Sequence, residues 1–166
     1  MGTTEGRAGS GLIAVSPDEF LWFVDLALDD MAIILRELGH DRANQRPDLE
    51  GTNSAYAILT HCLGVMEYWG GATVAGREIS RDRAAEFTAR GEVEELLGRA
   101  NTARQQLEND LEGLDSAARP LHVRRSEKHV EPYSETKGSV LMHIIEELFQ
   151  HLGQMELTRD LLLAGR

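Results

Sequence analysis

Apolar residues recur every three or four positions along four separate stretches of this chain, and that spacing limits the fold more than any other feature. In the first stretch, Pro17 to Leu38, Phe20, Phe23, Val24, Ala27, Met31, Ile34, Leu35 and Leu38 mark one side. That is the period of an α-helix, not of a strand. A second stretch, Ser54 to Ala75, carries Ala55, Ile58, Cys62, Val65, Met66, Trp69 and Ala72 on one face. A third, Val93 to Leu114, carries Val93, Leu96, Leu97, Ala100, Leu107, Leu111 and Leu114. A fourth, Ser139 to Leu163, carries Val140, Leu141, Ile144, Ile145, Leu148, Leu152 and Met155. No stretch shows the strict alternation of a strand. A helix with one apolar side must bury that side against another element. Four such helices predict an all-α, four-helix bundle.

The punctuation agrees with this reading. Ser16, Pro17 and Glu19 spell a helix start with a capping box. Gly39 is a natural stop, and Asn53 is the expected cap of the second helix. Gly153 inside the fourth helix is expected to allow close helix packing, since glycine otherwise costs about 1 kcal/mol there. Residues 1–15 read as a flexible tail, and 16–166 as a single domain of ordinary size. The links between helices are polar, the longest running from Asp115 to Gly138.

Charge narrows the range of partners. The chain holds 28 acidic and 17 basic residues, a net charge of -11, so it lacks the basic footprint that binds a nucleic-acid backbone or an anionic membrane. No apolar run reaches the roughly 20 residues of a bilayer span. The N-terminus has no signal-peptide pattern. A single cysteine, Cys62, excludes an internal disulfide and suits a reducing compartment. These features together predict a cytoplasmic protein. All but two of the basic residues, Lys128 and Lys137, are arginine, a bias that fits a GC-rich genome.

The residues able to do chemistry are the histidines. His40, His122 and His129 fall near helix ends or in polar links and read as solvated. Helix four, by contrast, carries His143, Glu147 and His151 at four-residue steps, one turn apart on one side. At about 100° per residue, Glu147 and His151 lie at the edge of the apolar stripe, with Gln154 nearby. His143 lies further out, as a neighbour or a surface residue. His61 sits at the edge of the apolar face of helix two. A bundle can bring it opposite Glu147 and His151, giving two nitrogens and a carboxylate. Such a set suits Zn²⁺ and admits Ni²⁺, Fe²⁺ or Mn²⁺. Three ligands leave positions open, as in catalytic sites. Cys62 points about 100° away from His61, into the apolar stripe, and reads as a buried structural thiol. Trp22 and Trp69 read as packing residues, and Arg159 as a surface or salt-bridge residue.

Two blocks carry a family resemblance. NSAYAILTHCLGVMEYW, from Asn53 to Trp69, and HIIEELFQHLGQMELTRDLL, from His143 to Leu162, resemble the helix-two and helix-four blocks of the DinB-like superfamily. That superfamily includes the YfiT-type proteins and the metal-binding domain of mycothiol-dependent maleylpyruvate isomerase. The resemblance implies a bundle with an altered helix order and a long crossover. It also implies a divalent metal held by His61, Glu147 and His151, and a homodimer. Glu147 stands where one branch has a third histidine; the Glu version resembles the isomerase branch. The isomerase carries a second, C-terminal domain that this sequence is not expected to supply, so maleylpyruvate isomerisation is not the expected activity.

The function so implied is a metal-dependent S-transferase that delivers a mycothiol-type thiol to a small electrophile, with bacillithiol as another candidate thiol. Two alternatives share the same site: a hydrolase using an activated water, and a non-catalytic stress or regulatory bundle. No general acid or base is assigned, although Gln154, His143 and Arg159 lie near.

Overall fold

Ser16 opens the first helix as its sequence predicts. Its hydroxyl accepts the Glu19 N–H at 3.1 Å, and its own N–H donates to the Glu19 carboxylate at 2.8 Å. The computed structural model describes residues 14–122 and 135–165; most of the expected tail, and His129 with Lys128, lie outside them. Among the described residues five α-helices follow in order: α1 (Pro17–Ala43), α2 (Ala55–Met66), α3 (Arg83–Glu86), α4 (Val93–Asp110) and α5 (Lys137–Leu163). α2 continues without a break into a π-helical segment, Glu67–Ala75. No strand occurs among the described residues, and the fold is all-α as expected.

The details depart from the sequence reading in four places. Gly39 does interrupt α1, at φ 67°, but the chain resumes one more helical turn to Ala43. The cap of α2 is Ser54 and not Asn53, because the Ser54 hydroxyl accepts the Ala57 N–H. Gly153 does not serve close packing: a methyl group built there meets nothing within 4 Å. Finally, α2 is not one-sided. Every residue of it except Gly64 is buried, since the link after it folds back over its outer side.

Side-chain pairs give the directions. Arg104 meets Asp25 and Arg36 meets Glu94, so α1 and α4 run antiparallel. Phe23 meets Phe149 and Glu37 meets Arg159, so α1 and α5 run parallel. His61 faces His151 while Trp69 faces His143, so α2 and α5 are antiparallel. Tyr56 lies against Gly91, Gly70 against Leu107, and Arg77 pairs with Asp110, so α2 and α4 are parallel. α1 and α2 each pack on both α4 and α5, whereas α4 and α5 do not meet. The order around the bundle is therefore α1, α5, α2, α4, with consecutive helices diagonal at both ends of the chain.

This order has one consequence for the site. Two parallel helices joined in sequence need a link that travels back along the bundle. The link from Gly76 to Glu92 does so, and its short helix α3 packs on α2. It is tied down at several points. The Arg46 guanidinium donates to the Phe87 carbonyl at 2.6 Å, and the Asn44 amide exchanges hydrogen bonds with the Gly91 backbone. No helix among the described residues is long and apolar enough to cross a membrane.

Candidate metal centre

The antiparallel pairing of α2 and α5 sets His61 against the turn that carries Glu147 and His151. His61 is 2 % exposed. Its Nε2 stands 3.4 Å from Glu147 Oε2, and His151 Nε2 stands 3.5 Å from the same oxygen. The two imidazoles meet edge to face with centroids 4.7 Å apart. Ligand atoms of His61, Glu147 and His151 all fall within 4.8 Å of one another and could hold a metal ion.

Each imidazole is oriented from behind. His61 Nδ1 lies 2.8 Å from Glu86 Oε2, so the Nδ1–H donates to that carboxylate. His151 Nδ1 donates to Gln154 Oε1 at 2.9 Å. Both tautomers leave the Nε2 lone pair bare and aimed at the shared space. This is the usual support of a metal-ligating histidine. His61 Nε2 has no hydrogen-bond partner, and it is the one buried side-chain nitrogen or oxygen among the described residues in that state. An orphaned polar atom costs about 1–3 kcal/mol when nothing satisfies it.

The separations fit an ion. Ligands at zinc's bond length of about 2.1 Å, placed tetrahedrally, stand about 3.4 Å apart. The carboxylate oxygen keeps that distance from both nitrogens, longer than ordinary hydrogen bonds. A donor set of two imidazoles and one carboxylate also suits zinc and its neighbours. The residues present therefore fit a divalent metal.

Electrostatics agree. His151 and then His61 hold the Glu147 carboxyl far below the ordinary carboxylate range, against burial, with His143 adding to the effect. The Glu147 carboxylate raises the pKa of His151, against burial and the nearby charge of Arg83. Burial pushes Glu86 up, but hydrogen bonds from Arg81 and His61 outweigh it and leave that group lowered. Burial, helped by Glu147 and Glu86, pushes the Cys62 thiol well up. Cys62 is 0 % exposed, so the structural reading of this thiol holds.

The remaining sequence candidates fall in place around this cluster. His143 is its neighbour: its Nε2 lies 3.9 Å from the other Glu147 oxygen, and its Nδ1 lies 2.8 Å from Glu146. Trp69 packs edge-on against His143 at 5.0 Å. Arg159 pairs with Asp160 and Glu37, away from the cluster. Trp22 is exposed.

Three residues of the back-folding link belong to the site, although the sequence reading left them in a connection. Glu86 supports His61. Arg81 grips Glu86 with two hydrogen bonds of 2.6 and 2.9 Å. Phe87 stacks on the His61 ring at 4.7 Å. Asp82, which caps Arg83–Glu86, was the available local signal, but a four-residue helix says nothing of where it docks.

Gly64 makes room for this support. A Cβ there would stand 2.2 Å from Glu86 Oε1 and 2.8 Å from its Cδ. Gly64→Ala is expected to push Glu86 off His61 and weaken Zn²⁺ binding about 10- to 100-fold, the usual cost of losing such an outer partner. Glu86→Gln should fall in the same range with less disturbance of packing. Competition with a chromogenic chelator measures both; unchanged affinity in both variants would show that the Glu86 contact does not tune the site.

Residues 24–155 match the DinB superfamily. The chain belongs to the DinB superfamily. The match starts inside α1 and ends on α5 beyond His151, so it spans all three residues of the cluster. No curated protein and no solved structure matches the chain. Superfamily membership agrees with the altered helix order and the long crossover. The long crossover is the link after α2, which joins the parallel helices α2 and α4.

Proposed function

We propose that this DinB-superfamily protein binds one divalent ion, Zn²⁺ foremost, through His61, Glu147 and His151, and uses it as a low-molecular-weight-thiol S-transferase. The observation that carries the reading is the buried, unpartnered His61 Nε2, with Glu147 and His151 at ligand spacing. Such an ion, with a coordination position left open, supplies Lewis acidity that makes a thiol acidic enough to react at neutral pH.

The chain's own residues do the rest. Glu86 and Gln154 fix the two imidazole tautomers. Glu147 contributes one negative charge, so the site keeps a net positive charge that favours an anionic sulfur. Phe87, Trp69 and the α2 core restrict water on the flanks, which strengthens each charge interaction inside. The Cys62 thiol takes no part, being buried and hard to ionise.

The test is turnover of a chromogenic haloarene by the Zn²⁺-loaded protein with a panel of thiols, mycothiol and bacillithiol included. A rate that rises with thiol and vanishes in His151→Ala supports the transferase. Ester hydrolysis independent of thiol would replace it with a hydrolase. Stoichiometric metal without turnover of either kind would leave a non-catalytic metal bundle.

A further inference from the structure

An open cavity of about 320 Å³ lies beside the cluster, lined by Tyr68, Ile79, Arg81 and Arg83. It is within the size range of small-molecule sites. Arg81 lines the cavity and stands behind His61, its Nη2 3.3 Å from the Nδ1 that faces away from the shared space. The two arginines differ in what they have left to give. Arg81 is committed to Glu86 through two hydrogen bonds. Arg83 makes no hydrogen bond or ion pair to any described residue. Its guanidinium lies over the Phe87 ring at 5.3 Å, and the same ring stacks on His61 at 4.7 Å.

That stacking matters for recognition. A guanidinium laid on an aromatic ring keeps its N–H edges free, and those edges match a carboxylate two by two. The support is itself fixed, since Phe87 is held by Arg46 through its carbonyl and by His61 through its ring. In a chain of net charge -11, an unneutralised cation on a rigid mount next to the reactive cluster discriminates between ligands.

We infer that the Arg83 cavity seats a carboxylate carried by the thiol that enters the cluster. The cosubstrate class is then an anionic thiol: sulfur toward His61, Glu147 and His151, carboxylate toward the Arg83 edge. This rests on the metal reading above.

The experiment uses the full chain loaded with Co²⁺, whose visible bands report the metal and whose sulfur-to-cobalt absorption reports thiol binding. Two probes are titrated, 3-mercaptopropionate and the neutral 2-mercaptoethanol. The wild-type protein should bind the carboxylate thiol about tenfold more tightly, as expected of one charge-assisted pair. Arg83→Gln should bring the ratio close to one while leaving Co²⁺ stoichiometry unchanged, with a smaller loss of affinity for 2-mercaptoethanol than for 3-mercaptopropionate. Arg83→Lys should keep part of the preference, and added salt should erode it in the wild type. A wild-type protein with no preference, or an Arg83→Gln variant that retains it, overturns the inference. A wild-type protein that takes up no Co²⁺ overturns the metal reading and this one with it, and does so before any thiol is added.

Discussion

Replacing His151 with alanine is expected to remove metal from the purified protein while leaving the helical circular dichroism intact. The same holds for His61→Ala. Structural zinc sites bind with about 10–16 kcal/mol in all. One ligand of three then accounts for roughly 3–5 kcal/mol, a loss of about 10²- to 10⁴-fold in affinity. Elemental analysis should fall from near one ion per chain to background. Thermal unfolding gives a second reading. At a thousandfold excess of free Zn²⁺ over its dissociation constant, binding stabilises by about 4.1 kcal/mol. For a domain of this size that is a rise of roughly 8–16 °C in Tm. The variants should keep between about a third of it and almost none. Either variant keeping wild-type affinity would remove that residue from the ligand set. His143→Ala should retain most of the metal, since its nearest approach to Glu147 is 3.9 Å and to the oxygen turned away from the other two histidines.

Acidification should weaken Zn²⁺ binding about tenfold per pH unit once the pH falls below the raised pKa of His151. One proton must leave that imidazole before its Nε2 can bind an ion. Glu147 adds no such proton, because its carboxyl is held far down and stays ionised throughout this range. The metal-free fold responds in the opposite sense. A histidine whose pKa is raised on folding stabilises the protein fully below its unfolded value of about 6.5. That contribution is lost as the pH rises through the folded value. Glu147, with a lowered pKa, contributes above about pH 4.3 and loses that contribution on acidification below it. The gain in Tm caused by Zn²⁺ should therefore increase from pH 6 to pH 8. Chelator competition across that range measures the affinity directly. A flat profile would mean that His151 is not protonated in the metal-free protein, or is not a ligand.

Most of the helical architecture was legible because it depends on local spacing. The stripes of α1, α4 and α5 fall on the faces that are buried, except for Phe23, which is exposed, and the Ser16 capping box forms as written. The grouping of His61, Glu147 and His151 was legible because four-residue steps on α5 and a stripe-edge position on α2 survive any sensible packing. What was not legible depends on contacts between distant segments. Glu86 is an ordinary acidic residue in a polar link until that link must run back along α2. Nothing local distinguishes Gly64 either; its need for glycine comes from Glu86. The all-round burial of α2 has the same origin. Gly153 shows the reverse error, in which a helix-interior glycine invited a packing explanation that no neighbouring atom supports.

The helix order also sets a schedule. His61 is translated well before Glu147 and His151, by an interval of several seconds at ordinary ribosomal speeds. In that interval α2 lacks α5, the partner that supplies the other two donors and covers much of its apolar surface. A nascent chain halted before α5 would present His61 without Glu147 and His151, the two residues that face it in the finished fold. The cluster is thus confined to a chain that has grown through α5, and the link bearing Glu86, the residue behind His61, is translated between its two halves.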